Sequence, residues 1–184
     1  MKLALLVLPA LLSIAVPLFA QEHKEEHKVL SPLDTVTANV DGAEIKISYS
    51  RPFTKHPETG AVRKIWGTLV PYGKVWRTGA NNATTLTTSQ PLEFGGTTIP
   101  AGTYSLFTIP EENGGKLIIN KQTGQSGLKY DEKQDVVRVD MKRAAAEKPV
   151  DQFTIAIDKG GMGGGSLKLT WENAEYSVPF TVKK

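Results

Sequence analysis

Residues 43–49, AEIKISY, decide the fold class. Ala43, Ile45, Ile47 and Tyr49 alternate with Glu44, Lys46 and Ser48. A period of two belongs to a strand, whose successive side chains point to opposite faces, one toward a core and one toward water or a ligand. Asp41-Gly42 stands just before the run, a dipeptide that favours a turn because glycine accepts a positive φ and aspartate bonds to nearby backbone.

The same alternation recurs along the chain. Val137, Val139 and Met141 flank Arg138 and Asp140, and Phe153, Ile155 and Ile157 flank Thr154 and Ala156. Leu167, Leu169 and Trp171 follow the rule, as do Tyr176, Val178, Phe180 and Val182. Residues 83–89, 103–109 and 115–120 are three more strand candidates. Gly95-Gly96, Pro100-Ala101-Gly102 and Asn113-Gly114-Gly115 supply turns between them. The pattern predicts an all-β fold, an antiparallel β-sandwich or jelly roll, as a single domain over residues 31–184. Residues 143–148, RAAAEK, have the best local helix propensity, and one helical turn in a loop is expected there. GGMGGG at 160–165 reads as a mobile hairpin loop, because it lacks the strand-to-helix setting of a phosphate-cradling glycine loop.

The amino terminus reads differently. Met1-Lys2 supplies a positive start, residues 3–19 are apolar apart from Ser13, and small Ala20 precedes the polar stretch QEHKEEHK. That order is a secretory signal peptide over residues 1–20, favoured over an uncleaved anchor by Pro9, Pro17 and the short charged start. Export to the periplasm or the exterior is the expectation, with no stable membrane span after cleavage. Residues 21–30 read as a charged flexible leader. His23 and His27 stand four apart within it, without a fixed carboxylate to complete a metal site.

Composition excludes several classes. There is no Cys among the 184 residues, so disulfide scaffolds, zinc ribbons and a cysteine nucleophile are out. Lys2 falls in the signal segment, which leaves 21 basic against 19 acidic residues and no basic block. Nucleic-acid binding therefore has no electrostatic footprint. No metal and no cofactor are implied.

Residues 49–88 break the alternation and gather special side chains: Arg51, Arg63 and Arg77, Trp66 and Trp76, Tyr49, Phe53 and Tyr72, then Asn81 and Asn82. Arginine offers a planar fork of donors for carboxylate or phosphate. Aromatic faces stack on sugars or cations, and asparagine both donates and accepts. A loop of this composition on a rigid β scaffold is a usual place for recognition. The competing readings are structural: Arg51 pinning a strand end, Trp66 and Trp76 plugging the core, and Asn81-Asn82 capping a turn. Asn82-Ala83-Thr84 also fits the glycosylation sequon. His56, in KHPETG, reads as an exposed-loop residue, because no serine in an elbow setting and no second ligand accompanies it.

The run YSRP at 49–52, WGTLVPYGKVWRTGANNATTLT at 66–87, GGTTIPAGTYSLFTIP at 95–110 and LIINKQTGQSG at 117–127 resemble the DUF2911 family of exported bacterial proteins. The resemblance spans about residues 31–182. It implies a domain of unknown function and supplies no catalytic residue. The chain departs from the family's pattern at KHPETGAVRK, where a shorter link with a Lys-Gly-Arg step is usual.

Three functions are in play. The first is a non-enzymatic binding module for a small polar or anionic ligand, such as a glycan, peptide terminus or envelope fragment. Its candidate ligand-binding residues are Arg51, Tyr72, Trp76, Arg77, Asn81, Asn82 and Tyr104. The second is a structural or assembly protein of the cell envelope. The third is a hydrolase or lyase with an Arg77-stabilised oxyanion and Tyr104 or Glu93 moving a proton.

Overall fold

A computed structural model describes residues 30–161 and 163–184. The signal-peptide reading, the leader with His23 and His27, and Met162 lie outside the described residues, except that the leader's last residue, Leu30, is described. The strands are β1 (Leu33–Val40), β2 (Ala43–Ser50), β3 (Ala80–Thr88), β4 (Leu92–Phe94), β5 (Thr97–Ile99), β6 (Gly102–Glu111), β7 (Gly114–Asn120), β8 (Asp135–Lys159) and β9 (Gly164–Val182). One 3-10 turn, Glu132–Gln134, precedes β8. Among the described residues no helix is long and apolar enough to cross a membrane.

The all-β, antiparallel fold read from the alternation is what the structure shows. Its hydrogen bonding joins all nine strands in one sheet, in the order β1-β2-β3-β6-β7-β8-β9-β4-β5, rather than in two separate sheets. That sheet cannot be flat. β2 and β8 are four places apart in the order, which in a flat sheet would separate them by about 19 Å. Yet the Ile155 N–H of β8 donates to Tyr49 Oη of β2 at 2.9 Å, and the rings of Tyr49 and Phe153 meet edge-on at 5.7 Å. The sheet therefore curls until β2 faces β8, and the core fills the space between.

The core is built by the residues that alternation selected. Ala43, Ile45, Ile47 and Tyr49 are buried on β2, as are Leu167, Leu169, Trp171, Tyr176, Val178 and Phe180 on β9. Burying each large aliphatic side chain contributes roughly 1.5–3 kcal/mol. The long β8–β9 hairpin changes register between Ala145 and Val150 and again before Thr154, and Glu172 opposite has a positive φ of 55°. Such bulges bend and twist a strand, so the hairpin can pair with β7 at one end and face β2 at the other.

The helical turn expected at 143–148 is absent: Arg143, Ala144 and Ala145 pair with Tyr176, Glu175 and Ala174 inside β8. Pairing with β9 overrides a propensity worth only tenths of a kcal/mol per residue. Of the glycines in 160–165, Gly160, Gly161 and Gly163 lie between β8 and β9, whereas Gly164 and Gly165 begin β9.

Candidate functional site

Residues 51–79 connect β2 to β3 with only isolated bridges, Phe53 to Gln152, Lys55 to Val62, Trp66 to Val70 and Trp76 to Thr108. Connections this long without their own regular structure are uncommon in compact domains. This one, with other segments, lines an open cavity of about 430 Å³. The volume is in the range of small-molecule sites.

An aromatic cluster makes the floor. Trp171 of β9 is fully buried, and Trp76 lies nearly parallel to it at 6.1 Å between centroids. Phe153 and Trp66 brace Trp76 edge-on at 5.0 and 5.9 Å. The Trp66 Nε1 donates to the Trp171 carbonyl at 3.1 Å, which ties the connection to β9. Trp66 is thus a core plug, whereas Trp76 and Trp171 line the cavity.

The approach to β3 is held in an unusual backbone. Thr78 has φ 54° and Asn81 φ 58°, and Gly79 has φ 154° with Ser50 O only 2.9 Å from where a Cβ would sit. A β-branched residue at positive φ is a true outlier, sustained only where its surroundings fix it. Here they do. Thr84 Oγ1 donates to Thr78 O at 2.7 Å, and Thr78 Oγ1 donates to Thr108 Oγ1 at 3.3 Å, all within the buried interior. This kink delivers Arg77 to the cavity wall.

Arg77 makes no side-chain hydrogen bond or ion pair among the described residues, and its Nε is buried without a partner. Burial pushes its guanidinium below the ordinary arginine value. Arginine nonetheless stays charged at neutral pH. Gly127 packs directly on it: a Cβ there would lie 2.2 Å from Arg77 Cδ and 2.8 Å from the Asn81 carbonyl oxygen. Glycine at 127 is what leaves room for the arginine. A second donor on the floor is also unmatched, because the buried Trp171 Nε1 has no partner. Arg63 stands in the same wall with Nε and Nη2 donating to the carbonyls of Thr54 and Phe53. Among the described residues no Asp or Glu lines the cavity.

The sequence-derived residues divide. Trp76, Arg77 and Asn81 line the cavity; Arg51, Tyr72, Asn82 and Tyr104 do not. Arg51 is a pin: Nη1 donates to Asp34 Oδ2 at 3.0 Å, Nε to Phe153 O at 3.0 Å and Nη2 to Thr154 Oγ1 at 2.8 Å. Tyr72 packs against the core beside Gly67. Asn82 is exposed and bridges to Ser126. Tyr104 is buried with its hydroxyl on Pro100 O at 2.9 Å, and Glu93 pairs with Lys183 at 3.0 Å. Neither proton-transfer candidate shares the cavity with Arg77. His56 does line it, with Nδ1 accepting from the Glu58 and Thr59 amides at 3.3 and 3.4 Å. Among the described residues there is no cluster of three or more metal-ligating side chains.

A family model, described as "Protein of unknown function (DUF2911)", matches residues 31–180. The chain belongs to the DUF2911 family. Neither the curated proteins nor the solved structures give a match. The DUF2911 match embraces every described cavity residue except Leu30, including Trp171 and the Gly127 segment, which position-by-position reading of the 49–88 stretch does not reach. Gly127 ends the LIINKQTGQSG run that carried the family resemblance, and Trp171 lies in the apolar alternation of β9. Only tertiary contact shows that they meet Arg77.

Proposed function

We propose that this chain is an exported, non-enzymatic binding module whose cavity takes a small anionic ligand. One observation carries the reading. Arg77 is a charged, partly buried donor in a cavity where the described residues supply it neither a hydrogen-bond partner nor a carboxylate. A buried unmatched charge-bearing donor is costly, and an anion that accepts from it would remove that cost. Trp171 Nε1 adds a second unmatched donor in the same floor. Asn81 braces the wall rather than donating to the anion, because its Nδ2 is held by Ser50 Oγ and Ser31 O at 3.3 and 3.4 Å. The signal-like residues 1–20 support placing this binding outside the cytoplasm, with a fragment of the envelope or its surroundings as the ligand source.

Calorimetric titration with acetate, inorganic phosphate and sulfate tests the proposal. Wild type should bind at least one of these anions, and Arg77→Ala should weaken that binding by about 10- to 100-fold, the worth of a charge-assisted hydrogen bond. Equal binding by Arg77→Ala would overturn the assignment. Export is tested separately by the mass of the protein recovered from its native host, which should correspond to loss of about the first twenty residues.

A further inference from the structure

The cavity's rim says what the rest of the ligand looks like. Among the described residues six large hydrophobic side chains are exposed, and four of them, Leu30, Leu69, Val75 and Leu128, line this one cavity. They come from three separate parts of the chain: the entry to β1, the β2–β3 connection and the β7–β8 connection. Leu128 is 82% exposed, and Leu30, Leu69 and Val75 are each about two-fifths exposed. Exposed apolar residues scattered singly need no explanation, but four converging on one mouth, above a floor of Trp76 and Trp171, form an apolar collar around a cationic base.

The polar side chains on the lining are mostly donors. Arg77 and Trp171 Nε1 are unmatched, and Arg63 stands beside them. The side-chain acceptors are few: Ser31, Asn81 and His56, whose Nδ1 already serves two backbone amides. A ligand rich in its own N–H or O–H donors, such as a peptide or a sugar, would lack side-chain acceptors for many of them here. An acid whose remainder is hydrocarbon would not.

We infer that the ligand is an aliphatic monocarboxylate, its carboxylate accepting from Arg77 and Trp171 and its alkyl chain covered by Leu69, Val75 and Leu128. The inference rests on the anion-binding reading above and adds the chemical class. Each methylene buried against the collar should tighten binding roughly fourfold. Several buried methylenes therefore separate an acyl carboxylate from a bare anion by well over an order of magnitude.

The test titrates the full chain with acetate, butanoate and octanoate, and with octan-1-ol as the uncharged control, following tryptophan fluorescence and heat. Octanoate should bind at least about 10-fold more tightly than acetate, with butanoate between them, and octan-1-ol should bind far more weakly than octanoate. Leu128→Ser and Leu69→Ser change exposed side chains, so they should leave the melting temperature near that of wild type. They should weaken octanoate severalfold while leaving acetate unchanged, whereas Arg77→Ala weakens both. Equal affinity for acetate and octanoate would overturn the acyl assignment and leave anion binding standing. Octan-1-ol binding as well as octanoate, with no loss in Arg77→Ala, would overturn both. An adequate signal for phosphate alone, with no carboxylate bound, would also overturn the acyl assignment.

Discussion

Arg51 and Arg77 stand at opposite ends of the same connection between β2 and β3, and their surroundings differ in kind. Where the chain leaves β2, the three nitrogens of Arg51 are taken by Asp34, Phe153 and Thr154, which ties β1 and β8 together across the curl of the sheet. Where the chain approaches β3, Arg77 has no partner among the described residues and faces a cavity floored by two tryptophans. Both are half-buried arginines in an aromatic setting. The difference teaches that an arginine's role is set by where its donors end: on its own fold at one corner, on nothing at the other. A guanidinium matched at each of its nitrogens holds structure, and an unmatched one beside a cavity is where the proposed ligand would bind.

The contrast can be broken by substitutions in each region. The largest effect should come at the Arg51 corner from Phe153→Ala. Phe153 is fully buried, touches Tyr49, Trp76 and Trp171, and offers its carbonyl to Arg51. Its truncation should lower stability by about 3–5 kcal/mol in urea unfolding. A loss below about 1 kcal/mol would mean that β2 and β8 are not closely packed there.

Arg51→Ala should come next, at about 2 kcal/mol, since it removes three hydrogen bonds but from a partly solvated site. Anion affinity should stay within a factor of two of wild type. A large affinity loss would erase the distinction between the two arginines.

Gly127→Ala sharpens the cavity side. The new methyl has no room against Arg77 and the Asn81 carbonyl, so it should cost about 1–2 kcal/mol by overpacking. It should also reduce anion binding, because the side chain that yields is Arg77. Unchanged binding would show that Arg77 does not need its present position.

The smallest effect is a pH dependence. Burial raises the Tyr49 phenol above the ordinary tyrosine value, with the Ile155 amide and Arg51 partly opposing it. Burial also pushes Tyr176 up to about 12. In both cases the unfolded chain loses its proton first. Stability is therefore complete below about pH 10 and falls as pH rises toward the folded values. Tyr49→Phe should cost about 1 kcal/mol at neutral pH by leaving the Ile155 N–H unmatched, and should reduce the alkaline fall in urea midpoint. An unchanged alkaline profile would mean that Tyr49 is solvated.

Alternation along β2 and β9 made the strands legible, because one buried face forces a period of two. The curl of the sheet was not legible. It depends on bulges in β8 and on contacts between strands four places apart, and neither leaves a local mark in the sequence. RAAAEK was misread as helical because its partner strand lies far ahead in the chain. The concentration of Arg, Trp and Asn in residues 49–88 marked the connection that lines the cavity, where Trp76, Arg77 and Asn81 meet. Composition could not separate Arg51 from Arg77, since only partner atoms distinguish them. Tyr104 carried no signal of its own burial, and the hydrophobic collar was scattered among Leu30, Leu69, Val75 and Leu128, singly unremarkable in sequence.

Thermal unfolding of wild type, Arg51→Ala and Arg77→Ala, each with and without octanoate at about 100 times its wild-type Kd, tests the central contrast most directly. Ligand binding at that excess should stabilise wild type by about 2.7 kcal/mol. Arg51→Ala should melt lower yet keep its ligand-induced rise, and Arg77→Ala should melt near wild type and lose that rise. A fall in melting temperature for Arg77→Ala as large as that for Arg51→Ala, with no ligand-induced rise in wild type, would make both arginines structural and contradict the account.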